Sequence, residues 1–500
     1  MRTLVRLPNW VGDTIMALPC LEALSRAWGD ELLLVGRDLP LQLTDHISPG
    51  SPRVVLRRGR RCVGAVRAIR ALGADQALLL TPSLSSALMI WAAGVRRRIG
   101  WKEQGRQAFL TEPVTRPPRG ARHLTAEFEE LARRAGGEIF APVPLLPPDA
   151  GAAAEAEDLL PSGSGRWVAL CPGVQYGTAK RWPPERFRRL REVLESGGWG
   201  GWVIGGPADR QVGEEVLAGA GAAWRNAAGT GNIRVSAELL RRARVAVTND
   251  TGSMHLAAAV GTRVVALFGP TDPAWTGPLG ENHAILFKEC PCRPCFRRHC
   301  PEGDPAPCMA ALSVERVAEV VEGRAIFLDR DGTLCKLVPY LSDPAQLELI
   351  PGAGEALRAA RAAGYRLVVV TNQSGIARGL FTRADVDRLH EKLQRLLEPY
   401  RARIDRFYIC PHHPDHTGPC DCRKPAPGML LKAVADLGLD PARCTMIGDT
   451  REDIEAGLAA GCRAMLVRTG YGGEETSLPP ETRSADDLPS AIAAILSDEG

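Results

Sequence analysis

Short apolar runs separated by helix-length stretches of mixed character recur along the first 270 residues. TLVRL (3–7), ELLLVG (31–36), QALLLT (76–81), WVALCPG (167–173), WVIGGP (202–207), VAVTND (245–250) and VVALFGP (264–270) each read as a buried strand running into a polar, Gly or Pro turn. Helical patterns such as 184–197 lie between them. Alternation at this density predicts an α/β chain whose parallel sheets are built from βαβ units. The proline-rich APVPLLPPDAGA (141–152) marks a boundary before a fresh strand at Trp167, giving two halves of roughly 150 residues each. A second restart comes at AIFLDRDGTL (325–334), directly after the helical SVERVAEVVEG, so the join is short. The expected domains are 1–155, 156–322 and 323–500. No internal repeat is visible, and ETRSADDLPSAIAAILSDEG reads as a last helix and a fraying acidic end.

A length of 500 residues exceeds one ordinary core, and 45% hydrophobic with 24% charged residues is a globular composition. No apolar stretch is long enough to span a bilayer. The N-terminus has no apolar run with a small-residue cleavage site, so no secretory signal is expected. The net charge of +4 conceals an asymmetry. Residues 1–150 hold 21 Lys and Arg against 14 Asp and Glu, whereas 323–500 hold 22 against 25. RRGRRCVGAVRAIR (57–70) and VRRRIGWK (95–102) concentrate the excess. Such a face suits an anionic partner, a phosphorylated glycolipid or a membrane surface. No nucleic-acid motif accompanies the charge, and nucleic acid is not expected as a partner. The 14 cysteines cluster, five between Cys290 and Cys308 and three between Cys410 and Cys422. Without an export signal, clustering points to metal ligands or plain thiols in a reducing cytoplasm.

Candidate chemistry is densest after residue 323. AIFLDRDGTL delivers Asp329 from a strand end and Asp331 two residues on, close enough to share a divalent cation. One carboxylate can attack phosphorus while the other handles the leaving-group proton. VVVTNQSG (368–375) ends another strand in Thr371 and Asn372, both suited to hydrogen-bond a phosphate. Lys424 of CRKP supplies a point charge for phosphoryl oxygens. CTMIGDTREDIEAG (444–457) ends a third strand in Asp449, with Asp453 four residues later to complete a Mg2+ site. In CPHHPDHTGPCDCRKP (410–425), Cys410-x-His412 and Cys420-x-Cys422 are two ligand pairs suited to a closed tetrahedral Zn2+ site, with His413 and His416 as alternates to His412. Such a clip would hold Arg423 and Lys424 in a rigid loop and perform no chemistry itself.

These pieces in this order resemble the haloacid-dehalogenase (HAD) phosphohydrolase superfamily. CPHH…CDCRKP with DRDGT is similar to its D-glycero-D-manno-heptose 1,7-bisphosphate 7-phosphatases over nearly all of 323–500, although histidinol-phosphate phosphatases share the zinc loop. The resemblance implies Asp329 as a nucleophile forming an aspartyl-phosphate and Asp331 as general acid/base. It implies Thr371, Asn372, Arg423 and Lys424 around the substrate, and Asp329, Asp331 and Asp449 around Mg2+. Thr450 stands where those phosphatases carry a lysine, and KLVPYLSD (336–343) lacks their histidine-containing segment.

The first 320 residues carry a different set. LPNWVGDTIMALPCLEAL (7–24) reads as a strand end, a glycine turn and an amphipathic helix, with Asp13 either a cap or a base facing a cleft. CPGVQYGTAKRWPPERF (171–187) puts Lys180 and Arg181 in a loop before a Pro-started helix. In VTNDTGSMHLAAAVG (247–261) the amides of Thr251, Gly252 and Ser253 open a helix and make a natural diphosphate site. The ordered set WVGD, AKRWP, GGP and TNDTGSMH resembles the ADP-heptose:lipopolysaccharide heptosyltransferases, most closely the heptosyltransferase II branch. That resemblance implies a GT-B fold, two Rossmann-like halves with the acceptor on the first and ADP-heptose on the second. Asp13 would be the general base and Lys180 would neutralise the leaving ADP. Asp250, Thr251, Gly252 and His255 would hold the nucleotide sugar, although His255 reads equally as a core histidine. No D-x-D motif accompanies this region, so transfer without a metal is expected. Behind it, Cys292-x2-Cys295-x4-Cys300-x7-Cys308, with Cys290 just ahead, reads as a zinc site, an iron–sulfur centre or free thiols, with no catalytic role.

The expectation is a bifunctional cytoplasmic enzyme of lipopolysaccharide core assembly, peripheral at the inner membrane. It would transfer heptose from ADP-heptose to the inner-core acceptor and release the 7-phosphate of heptose 1,7-bisphosphate, with Mg2+ and structural Zn2+ in the phosphatase. Competing readings are a histidinol-phosphate phosphatase fused to a transferase for another acceptor, or one half serving as a scaffold.

Overall fold

The computed structural model describes residues 2–57, 62–139, 143–161, 166–175, 177–280, 283–437, 439–475, 477–480 and 482–498. Residues 58–61 of the basic run, 141–142 of the proline-rich boundary, Tyr176 of the lysine loop and the last two residues of the acidic end lie outside these. The chain forms two compact units, Met1–Ala318 and Glu319–Gly500.

In the first unit, β1 (Thr3–Arg6), β2 (Leu32–Gly36), β3 (Arg53–Val55), β4 (Gln76–Leu79), β5 (Arg97–Trp101) and β6 (Glu112–Val114) form a sheet of order β3-β2-β1-β4-β5-β6. A second sheet, β12-β11-β10-β7-β8-β9, comprises β7 (Trp167–Cys171), β8 (Gly200–Val203), β9 (Trp224–Asn226), β10 (Val245–Asn249), β11 (Arg263–Phe268) and β12 (Ala284–Phe287). The second unit holds β13 (Ala325–Leu328), β14 (Arg366–Asn372), β15 (Arg406–Cys410), β16 (Thr445–Gly448), β17 (Arg463–Val467) and β18 (Arg483–Ala485), ordered β15-β14-β13-β16-β17-β18. Every neighbouring pair in the three sheets runs parallel.

Counted within each sheet, the order is the same three times: 3-2-1-4-5-6. Helical crossovers cover both faces of such a sheet. The strands are therefore continuous apolar runs rather than alternating ones, and β1, β2, β4 and β13 are buried along their whole length. The seven runs of the first 270 residues fall on β1, β2, β4, β7, β8, β10 and β11. The order reverses between the first and fourth strand of each sheet, which opens a crevice at their carboxyl ends. Five helices matter below: α1 (Val11–Met16), α2 (Cys62–Ala71), α3 (Leu84–Ala92), α4 (Gly252–Ala259) and α5 (Arg451–Ala459). Among the described residues no helix is long and apolar enough to cross a membrane.

Candidate functional sites

The crevices of the first two sheets share one cleft of about 1410 Å3. That is larger than the usual pocket for one small ligand and has room for two substrates. β1 leads into α1, whose first turn presents Asp13 to the cleft, and β10 leads into α4, whose first turn presents Thr251, Gly252 and Ser253. Two glycines let these helix starts meet. A Cβ on Gly12 would lie 2.9 Å from His255 Cδ2, and one on Gly252 would lie 3.0 Å from Val11 Cβ. Lys180, after β7, donates from Nζ to Asp250 Oδ2 at 2.5 Å, and Thr271 Oγ1 donates to the same oxygen at 2.6 Å. The lysine is thus fixed at the cleft wall by a buried carboxylate, and Asp250 acts as its holder. Burial pushes the Asp13 carboxyl up to about 6, while Arg116 and Lys180 pull it down and Asp250 pushes it up. Burial drives His255 down to about 4, so it is neutral at pH 7. Sequence reasoning missed Arg116, which lines the cleft and donates from Nε to Glu127 Oε2 at 2.6 Å. Nothing in the irregular TRPPRG segment distinguishes it from its neighbouring arginines.

In the second unit, Asp329 directly follows β13, Asp449 directly follows β16, and Asp453 lies in the first turn of α5. All three are buried, with carboxylate oxygens within 4.8 Å of one another. Lys424 reaches them from the cysteine loop, pairing with Asp329, with Asp453 Oδ1 at 2.5 Å and with the Val370 carbonyl at 2.8 Å. Burial raises the Asp329 carboxyl well above its ordinary range; Lys424 opposes this, and Asp453, Asp449 and Asp331 add to it. Burial likewise pushes Asp449 up to about 6. Burial works against the Lys424 ammonium, yet Asp329 and Asp453 outweigh it and hold it above its usual value. Three carboxylates against one ammonium leave a charge that a hard divalent cation balances, and an all-oxygen donor set suits Mg2+. Thr333 Oγ1 and the Tyr471 amide donate to Asp449 at 3.1 and 2.9 Å, fixing its carboxylate.

Two expectations change here. Asp331, expected beside the cation, does not contribute its side chain to the carboxylate group. It accepts from Arg330 at 3.0 and 2.7 Å and from Gln373 Nε2 at 3.0 Å, and Asp453 supplies the third carboxylate instead. Arg330, in the turn after β13, pairs with the neighbouring Asp331 carboxylate. Asn372, expected against phosphate, clasps the Lys424 backbone: its Nδ2 donates to Lys424 O, and Lys424 N donates to its Oδ1, both at 3.1 Å. Thr371 stays buried at the site and accepts from Gln373 Nε2 at 2.8 Å.

The four donors of the cysteine loop converge. Sγ of Cys422 lies 3.2 Å from Cys410 Sγ, 3.4 Å from Cys420 Sγ and 3.3 Å from His412 Nδ1. Cys410 Sγ lies 3.7 Å from Cys420 Sγ and 3.8 Å from His412 Nδ1. A tetrahedron with Zn–S bonds of about 2.3 Å has edges of about 3.8 Å, so the donors fit a closed Zn2+ site. His413 is engaged elsewhere, with Arg378 Nη2 2.8 Å from its Nε2, which leaves His412 as the ligand of the set. Arg423 donates to the His412 carbonyl at 3.3 Å, within the loop.

The run 290–308 does not converge in this way. Cys290 and Cys292 sulfurs are 3.6 Å apart, and burial, with Cys290, Cys300 and Cys292 nearby, raises the Cys308 thiol to about 11. Among the described residues only the two groups above bring metal donors within 4.8 Å of one another. The run instead braces the lysine turn: Ala179 N donates to Arg298 O at 3.0 Å, and a Cβ on Gly177 would strike that oxygen at 2.2 Å.

A GT-B transferase cleft and a HAD-type carboxylate–lysine site on one chain define a two-enzyme polypeptide. The glycosyltransferase family 9 (heptosyltransferase) signature matches residues 64–305, and a HAD-hydrolase-like signature matches 421–492. The chain is 45% identical over 153 residues to the D-glycero-beta-D-manno-heptose-1,7-bisphosphate 7-phosphatase of Haemophilus ducreyi, covering 29% of this chain and 84% of that protein. The protein of the same name from Salmonella typhi is 44% identical over 177 residues, 34% of this chain and 94% of that one. The solved E. coli ADP-heptose lipopolysaccharide heptosyltransferase II superimposes with a TM-score of 0.55 at 25% identity, over 64% of this chain and 97% of that one. The chain carries a family 9 heptosyltransferase domain and belongs, through its second unit, to the D-glycero-beta-D-manno-heptose-1,7-bisphosphate 7-phosphatase family.

Proposed function

We propose that one chain performs two steps of lipopolysaccharide core assembly. Residues 323–500, within the second unit, hydrolyse the 7-phosphate of D-glycero-D-manno-heptose 1,7-bisphosphate. Asp329 attacks phosphorus, the bond to the sugar oxygen breaks, and Asp331 delivers a proton to that oxygen. Water, deprotonated by Asp331, then attacks the aspartyl-phosphate, releases phosphate and restores Asp329. Thr371 and Lys424 hold the transferring oxygens. Asp329, Asp449 and Asp453 would hold Mg2+, which screens phosphoryl charge when bound. Cys410, His412, Cys420 and Cys422 would hold a structural Zn2+ that fixes the loop bearing Arg423 and Lys424.

In the transferase, residues 1–155 take the acceptor and 156–322 take ADP-heptose. Asp13 removes the proton of an inner-core acceptor hydroxyl, whose oxygen attacks the anomeric carbon as its bond to ADP breaks, inverting the centre. Lys180, held by Asp250, faces the diphosphate, and the amides opening α4, with His255 beside them, cradle it. The acceptor is lipid-borne, so the working location is the cytoplasmic face of the inner membrane.

The observation that carries the reading is Lys424 bridging Asp329 and Asp453 in a unit that is 45% identical, over 153 residues, to a heptose bisphosphate phosphatase. Phosphate release with Mg2+ from heptose 1,7-bisphosphate and from histidinol phosphate tests it. Preference for the heptose substrate supports it, and preference for histidinol phosphate defeats the substrate assignment.

A further inference from the structure

The two reactions leave one surface of the first unit unexplained. Helices α2 and α3 lie side by side over the face of the first sheet opposite α1. Their inward residues Ile69, Ala87 and Ile90 join the core with Leu4, Leu33 and Leu79. The outward face of α3 is not polar. Leu84, Leu88 and Trp91, at spacings i, i+4 and i+7, form one stripe and are 41%, 43% and 51% exposed. The outward stripe of α2 is Val63, Arg67 and Arg70, all exposed, and Arg70 Nη2 donates to the Ala92 carbonyl at 2.6 Å, tying the two helix ends together. Residues 46–102 contain eleven Lys and Arg and a single acidic residue, Asp75, while Arg53 and Arg97 pair with Asp45 and Glu112 outside that stretch.

We propose that this two-helix layer docks the transferase unit on an anionic phospholipid bilayer. The inference rests on the transferase reading and names the surface that reading requires. A surface that joins half-exposed leucines and a tryptophan, packed edge-on against Phe109, to the exposed Arg67 and Arg70 matches a bilayer interface, where aromatic and aliphatic side chains enter the headgroup layer and arginines meet phosphate. Nucleic acid would use the charge and leave the leucine stripe in water. Placement agrees: Val55 and Leu56, just ahead of α2, and Leu80 and Pro82, just ahead of α3, line the catalytic cleft. A bilayer beneath these helices therefore holds a lipid-anchored acceptor beside the mouth that leads to Asp13.

The test is cosedimentation of the full chain with vesicles of phosphatidylcholine alone and of phosphatidylcholine with about one-third phosphatidylglycerol, at about 0.1 and 0.5 M salt. Binding to the anionic vesicles, weakened by salt and reduced about tenfold or more in Leu88→Glu and in Arg67→Glu, is expected. Both variants keep wild-type phosphate release, which reports folding, and wild-type transfer to a lipid-free acceptor fragment. Absence of vesicle binding, or binding that both variants retain, overturns the docking surface. Equally tight binding to duplex DNA that Leu88→Glu leaves intact also overturns it, since the apolar stripe would then have no role. Failure of the wild-type chain to act on the lipid-free acceptor would sink the transferase reading, with vesicle binding still judged on its own.

Discussion

Asn372→Ala separates two roles for a residue that sequence alone places against phosphate. In the structure its side-chain amide makes two hydrogen bonds of 3.1 Å, both to the backbone of Lys424. Each such neutral bond contributes about 0.5–1.5 kcal/mol, and a backbone group left unpaired in a buried site costs about 1–3 kcal/mol. The clasp is therefore worth roughly 2–4 kcal/mol. Part of that loss is resisted, because Lys424 keeps its ion pairs with Asp329 and Asp453 and follows Cys422 in a loop whose Cys and His donors converge. Displacement of a catalytic charge by about 1 Å lowers turnover on the order of a hundredfold. The expected fall in kcat for phosphate release is thus about 10–100-fold, clearly less than for Lys424→Ala, with zinc content unchanged. Steady-state kinetics and metal analysis on the same preparation supply the readout. A wild-type kcat would mean the clasp does not position Lys424. A loss as deep as that of Lys424→Ala, with a raised KM, would mean that Asn372 touches phosphate itself.

Cys422→Ser should release zinc and lower phosphate release about 10–100-fold while leaving heptose transfer intact; unchanged phosphatase activity in zinc-free protein would refute the clip's role. Transfer should follow the ionised form of Asp13. Because burial raises that carboxyl to about 6, the rate should be full above this pH and fall as pH drops through it, and an acid limb near the ordinary carboxylate value would contradict the assignment. Gly12→Ala puts a Cβ 2.9 Å from His255 Cδ2, and overpacking of that kind costs about 1–3 kcal/mol. Calorimetry should show the first unit melting earlier with transfer reduced, and an unshifted melt would show that the α1–α4 junction can relax.

The fold was legible because strands covered on both faces must be continuous apolar runs, and ELLLVG and VAVTND can be little else in a βαβ chain. The candidate site positions were legible because strand ends at a reversal of strand order are where ligands bind, and Asp329, Asp449 and Asp250 all directly follow such ends. What escaped was the choice among neighbouring side chains. Spacing puts Asp331 beside Asp329 but is silent on Arg330, which pairs with the Asp331 carboxylate. Spacing likewise puts Asn372 beside Thr371 without revealing that its amide reaches a loop 52 residues later. Arg116 comes to Asp13 through tertiary folding alone, and no local pattern encodes that. The 290–308 cysteines show the reverse case, a ligand-like spacing whose sulfurs do not converge.

Two independent active sites on one polypeptide are best tested by crossing single knockouts with both assays. Asp329→Ala should abolish phosphate release from heptose 1,7-bisphosphate and leave transfer from ADP-heptose at the wild-type rate, and Asp13→Ala should do the opposite. Loss of both activities in either variant, or of neither, would contradict the two-enzyme account.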